Sequence, residues 1–173
     1  NAAPGEAIRV FREHLHGTMT DEVDHVVEVP DSPVHLREVR VRYEGSGRTS
    51  MTTGESLELV AEFLCDEPVD DAVLALEVRN LRGETMFAAT SDTLGAPLPR
   101  LAGEGRLVIR MSDVPLLDGT YPVSIQLRHR HDGKMLALRE GLDTFEVMSN
   151  SRVEGQVYVP TSISIQANKE VRS

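Results

Sequence analysis

Apolar and polar residues alternate over five stretches of the chain. Val39, Val41 and Tyr43 alternate with Glu38, Arg40 and Arg42, and Leu57, Leu59, Ala61, Phe63 and Cys65 alternate with Ser56, Glu58, Val60 and Glu62. Leu74, Leu76 and Val78 alternate with Ala75, Glu77 and Arg79. Further on, Leu107, Ile109 and Met111 stand against Arg106, Val108 and Arg110, and Tyr121, Val123, Ile125 and Leu127 against Ser124, Gln126 and Arg128. Neighbouring side chains of a strand point to opposite faces, so each stretch predicts a strand with one buried and one solvated face, as in antiparallel sheets. Asn80-Leu81-Arg82-Gly83 and His131-Asp132-Gly133-Lys134 predict hairpin turns, the second with an Asp-Gly pair suited to positive φ. Gly45-Ser46-Gly47 breaks the first strand from the next element. About seven to nine short strands joined in this way predict an all-β chain, an immunoglobulin-like or jelly-roll antiparallel β-sandwich.

The two ends read differently. Ala7, Ile8, Phe11 and Leu15 recur at helical spacing and Gly17 follows as a stop, which predicts a short N-terminal helix with little else helical to pack against. Asp21, Glu22, Asp24, Glu28 and Asp31 then crowd an acidic linker that closes with Pro30 and Pro33, and Val26-Val27 within it can pair with a sheet edge. Beyond the polar run Met148-Ser149-Asn150-Ser151-Arg152, Val157 and Val159 alternate with Gln156 and Tyr158, and Ile163 and Ile165 with Ser162 and Ser164. Pro160 interrupts this tail and marks a bend or an edge. The organisation expected is a helix over residues 1–17, a linker over 18–33, a sandwich over 34–166 and a disordered tail over 167–173.

Composition narrows the function classes. A chain of 173 residues, 40% of them hydrophobic, can bury a core without a metal or disulfide staple. Eighteen Lys+Arg against 28 Asp+Glu leave a formal charge of −10, which repels phosphate backbones and anionic lipid and argues against nucleic acid as a partner. No apolar run approaches the ~20 residues of a membrane-spanning helix, so no direct membrane insertion is expected. Cys65 is the single cysteine and sits in an apolar run, where a thiol acts as a small hydrophobe.

Catalytic constellations do not assemble. The chain has no G-x-x-x-x-G-K-[ST] loop, and Gly103-Glu104-Gly105 reads as a turn before a strand. His129 and His131, with Asp132 adjacent, could share a face but have no third ligand at a clear spacing, so no metal or other cofactor is expected. Glu67, Asp70, Asp71 and Asp92 fall on predicted loops and cannot be set opposite one another as a hydrolytic pair, and no G-x-S-x-G occurs. The expectation is a protein that is not an enzyme.

Asp118-Gly119-Thr120-Tyr121 opens a strand in the manner of the tyrosine corner of immunoglobulin-like sandwiches. It belongs to an ordered series: Gly54-Glu55-Ser56-Leu57-Glu58-Leu59, Val78-Arg79-Asn80-Leu81-Arg82-Gly83, Ser91-Asp92-Thr93, Leu101-Ala102-Gly103-Glu104-Gly105, Val114-Pro115-Leu116-Leu117-Asp118-Gly119-Thr120-Tyr121, Phe145-Glu146-Val147 and Gly155-Gln156-Val157. In order and spacing the series resembles the C-terminal carbohydrate-binding domain of Wzt-type ATP-binding subunits of polysaccharide ABC exporters. The segment around Pro4-Gly5-Glu6-Ala7-Ile8 is similar to the last helix of the nucleotide-binding domain in such subunits, as if the ATPase half had been removed.

The resemblance implies a non-catalytic module that recognises an O-antigen-like glycan terminus through the polar face of a sheet. It implies a location at the inner, cytoplasmic face of the membrane, with the exporter's membrane-spanning subunit as a partner through the nucleotide-binding domain. It also implies a homodimer that can exchange C-terminal strands. Members often carry a Trp in the final strand; this chain has none, and Tyr158 is the only aromatic from Tyr158 to Ile165. A site without that platform must lean on hydrogen bonds. Planar, multidonor side chains on the polar strand faces are therefore the candidate glycan ligands: Glu77, Arg79, Arg106, Arg110, Gln126, Arg128 and Arg130. The alternative is a structural or dimerisation sandwich that assembles through strand exchange without binding sugar.

Overall fold

The computed structural model describes residues 25–158 and 160–162. The expected N-terminal helix, the first part of the acidic linker and the end of the tail lie outside them. The described residues contain no helix and form nine strands: β1 (His25–Val27), β2 (Val34–Tyr43), β3 (Met51–Thr52), β4 (Leu57–Val69), β5 (Ala72–Arg79), β6 (Thr85–Thr90), β7 (Leu101–Met111), β8 (Gly119–His129) and β9 (Met135–Met148). They make two sheets. The larger runs β1-β9-β8-β5-β6 with β3 also beside β9, and the smaller runs β2-β4-β7.

The five alternating stretches form β2, β4, β5, β7 and β8, and one set of each turns inward. Leu59, Ala61, Val78, Leu127 and Phe145 are fully buried between the sheets. Tyr121 stacks on Phe145 with ring centroids 5.4 Å apart. Its hydroxyl donates to the Leu117 carbonyl at 2.7 Å, closing the tyrosine corner that Asp118-Gly119 announced. Cys65 is buried, and that burial, helped by the Asp66 charge, pushes its thiol pKa up. Gly83 and Gly133 take positive φ in the two expected hairpin turns. Val26-Val27 of the linker pair with β9, as the sequence allowed.

Three features differ from the sequence reading. Gly103-Glu104-Gly105 is not a turn but lies within β7. Gly103 relieves a register shift opposite β4 with φ +59°, and Gly105 faces Phe63 so closely that a Cβ would sit 2.4 Å from the ring. β3 runs parallel to β9, the one parallel pair among the described residues of a sandwich expected to be antiparallel. β9 and β6 were not evident, because bulges scramble the period of β9 and β6 reads as an unbroken Thr-Met-Phe-Ala-Ala-Thr.

Candidate functional site

The larger sheet has an outer face, turned away from the core, and its centre is polar. On β8 the outward residues are Ser124, Gln126 and Arg128. Antiparallel register sets Glu77 opposite Ser124, Ala75 opposite Gln126 and Val73 opposite Arg128 on β5. On the other flank Leu138 of β9 lies opposite Gln126, and Met135 opposite Arg128. Alternate residues of one strand repeat about every 7 Å, so these side chains form a patch a few sugar rings long.

Five of the seven residues singled out from the sequence therefore share one sheet: Glu77, Arg79, Gln126, Arg128 and, just past the end of β8, Arg130. The other two do not join them. Arg106 and Arg110 stand on the outer face of the smaller sheet, across the sandwich, and each is engaged by glutamates there. Arg106 lies 3.4 Å from Glu62, and Arg110 lies 2.8 Å from Glu44 and 3.5 Å from Glu58.

The polar face is drier than alternation implies. Glu77 is 1% exposed and Gln126 2%, although both stand on the face expected to be wet. Over Glu77 the side chains of Arg79 and Thr85 close. Glu77 accepts from the Thr85 hydroxyl and from Arg79 Nη2, the latter at 3.0 Å. Arg79 also reaches from β5 past β8 to within 3.9 Å of Glu140 on β9. Glu140 is aimed there by a bulge: between the pairs Val123–Asp143 and Ile125–Arg139, β9 carries three residues against the single Ser124. Gly141 turns the bulge with φ +64°, and its N–H donates to Ser124 Oγ at 3.2 Å.

Within this network three buried polar atoms have no hydrogen-bond partner among the described residues of the protein: Arg79 Nε, Gln126 Oε1 and Arg128 Nε. All three belong to the same face. Arg130 is neutralised by Asp92 at 2.5 Å and Arg79 by Glu77 and Glu140, whereas Arg128 has no carboxylate beside it among the described residues. Burial, with no opposing charge, holds the Arg128 pKa below the usual guanidinium range. Buried donors and acceptors are nearly always satisfied in folded proteins, and an orphan costs about 1–3 kcal/mol. A cluster of such orphans marks a surface organised for something other than stability.

Two hollows elsewhere on the surface lack this signature. A cleft of about 240 Å³ between the β5–β6 turn and the tyrosine corner is lined by Asn80, Leu81, Met86, Asp118, Tyr121 and Gln156. A second, of about 200 Å³, lies on the smaller sheet around Arg37, Phe63 and Arg106. Neither is lined by any of the three unpartnered atoms. His131 pairs with Asp71 at 3.2 Å, and no group of three metal-ligating side chains occurs among the described residues. Glu140, Ser124 and Thr85 complete the face and were missed from sequence. Only Gly141, a glycine inside an otherwise strand-like run, signalled the bulge that brings Glu140 in.

Residues 32–159 match the family model of the Wzt C-terminal domain. The chain belongs to the Wzt C-terminal domain family. Its structure is similar to the crystal structure of the C-terminal domain of wzt, with a TM-score of 0.67 and 14% identity over 82% of this chain and 93% of that one. At that identity the likeness shows a shared fold. Weaker likenesses extend to the beta-glucuronidase of Bifidobacterium dentium complexed with coumarin-3-O-glucuronide (TM-score 0.41, 11% identity, 67% of this chain and 18% of that one). The beta-glucuronidase of Parabacteroides merdae follows (TM-score 0.39, 13% identity, 66% and 14%). No curated protein matches the chain by sequence. Membership associates this Wzt C-terminal domain with a polysaccharide ABC exporter, and no helix among the described residues is long and apolar enough to cross a membrane.

Proposed function

We propose that this Wzt C-terminal domain is a non-catalytic glycan-recognition module that binds the polysaccharide to be exported on the outer face of its larger sheet. The observation that carries the reading is the coincidence of three unpartnered buried polar atoms, on Arg79, Gln126 and Arg128, within one patch. Sugar hydroxyls come in vicinal pairs that both donate and accept, and amide and guanidinium groups match them. Donor and acceptor atoms without a protein partner can meet a ligand without first giving up a bond. Guanidinium and carboxamide groups hold ligands and do not exchange protons at neutral pH, which suits recognition and not turnover.

The same reading makes the sandwich the glycan-reading part of an exporter subunit at the cytoplasmic face of the membrane, acting through a nucleotide-binding domain on a membrane-spanning partner. It includes a homodimer built through the C-terminal segment. The described start of that segment hydrogen-bonds within its own chain, where Leu117 N–H donates to Gln156 and Tyr158 N–H to Pro115.

Glycan arrays bearing bacterial surface polysaccharides, followed by calorimetry on any captured glycan, test the function. The double variant Gln126→Ala/Arg128→Ala should lose binding while keeping the oligomeric state of the parent. A parent protein that captures no polysaccharide, or a double variant that binds like the parent, would overturn the reading.

A further inference from the structure

Resting on that glycan reading, we propose that the recognised glycan carries an anionic group, a carboxylate or a phosphate ester, and that Arg128 is the side chain that receives it. Arg79, Arg128 and Arg130, at the outer face of the larger sheet, differ in one respect. Arg79 and Arg130 are each neutralised by carboxylates, at 3.0 and 2.5 Å, and a neutral hydroxyl suffices for what remains of their hydrogen-bonding capacity. Arg128 is half-buried, and the residues opposite it on both flanks, Val73 and Met135, offer neither a charge nor an acceptor. Among the described residues it is the guanidinium of the patch without a carboxylate partner, and its Nε–H is desolvated.

A planar fork of N–H donors matches two oxygens of a carboxylate or phosphate at once, and such bonds are roughly twice as strong as neutral ones. The acidic remainder of the chain, at −10, does not cancel this preference. Charges beyond about 8 Å are largely screened at physiological salt, whereas a desolvated pair in contact is not. Gln126, two residues along the strand on the same face and with its Oε1 unpartnered, is placed to take a hydroxyl of the same sugar residue. Glu77 and Glu140 lie on the far side of Gln126 from Arg128, so an anion at Arg128 avoids them and the neutral part of the ligand meets them.

The test follows the Arg Nε–H signals of the ¹⁵N-labelled 173-residue chain by NMR during titration with matched probes. The probes are trigalacturonic acid against its methyl ester, mannose 6-phosphate against mannose, and inorganic phosphate alone. The Arg128 signal should move saturably with a charged probe, at an affinity about tenfold or more above its neutral counterpart. The two pairs tell a carboxylate from a phosphate source. Arg128→Gln should erase the difference, Arg128→Lys should retain part of it, and a melting temperature of Arg128→Gln at or above that of the parent shows that the loss is not unfolding. Equal affinity for charged and neutral members overturns the charge inference and leaves the glycan reading standing. Inorganic phosphate binding as tightly as mannose 6-phosphate keeps the anion site but removes the sugar from it. No movement of the Arg128 signal with any probe overturns the anion inference, while the glycan reading stands or falls on the array.

Discussion

Replacing Gln126 by leucine separates a residue kept for stability from one kept for binding. Gln126 is 2% exposed, its Oε1 has no partner, and its cross-strand neighbours are Ala75 and Leu138. Leucine has nearly the same volume and no polar atoms, and it fits between those two apolar residues. The buried unpaired amide costs about 1–3 kcal/mol, so removing it should raise the unfolding free energy of the free protein by about 1–2 kcal/mol. At roughly 2–4 °C per kcal/mol for a chain of this size, the melting temperature should rise by about 2–8 °C. Glycan affinity should fall in the same variant, because the ligand loses the partner for one hydroxyl. Urea unfolding followed by circular dichroism gives the first quantity, and calorimetric titration with the glycan identified on the array gives the second. A variant destabilised by more than about 1 kcal/mol would show that the amide is bonded in the native protein and has a structural role. Unchanged glycan affinity would remove Gln126 from the site.

Two further outcomes test the frame around the face. Tyr121→Phe removes the hydroxyl that satisfies the Leu117 carbonyl and should cost about 1–3 kcal/mol in urea unfolding; glycan affinity should stay at the parent value, since the ring packs in the core and not on the polar face. Glu55 is held by Arg48 and by the Thr52 N–H, which lower its pKa from 4.5 to about 2. Its folded value lies below the unfolded one, so its contribution is complete above pH 4.5 and fades as the pH falls toward 2. Glu55→Gln should lower the melting temperature at neutral pH and lose the part of the acid sensitivity that falls in that window. Parallel melting curves for parent and variant from pH 5 to pH 2 would show that the pair contributes nothing.

The chain's own pattern determined the class of fold. Period-two alternation in β2, β4, β5, β7 and β8 names the inward residues, because a strand has only two faces and the apolar one must be covered. The turn at Asn80-Gly83 and the corner at Tyr121 were equally legible, since positive φ and a buried phenol each demand particular residues at particular positions. Those signals are local, and a local signal survives in sequence.

What the tertiary structure alone decided is which polar residues meet. Arg106, Arg110, Gln126 and Arg128 look alike along the chain, yet the pairing of β7 with β4 and of β8 with β5 and β9 sends them to opposite sides of the sandwich. Glu77 and Gln126 sit at positions that alternation marks as solvated, yet both are buried, Glu77 beneath an Arg79 that reaches across β8 toward Glu140. Alternation records which face a side chain takes but not what lies over that face. Solvation is fixed by neighbours on other strands, and so is the absence, among the described residues, of a carboxylate partner for Arg128, the feature that distinguishes it from Arg79 and Arg130.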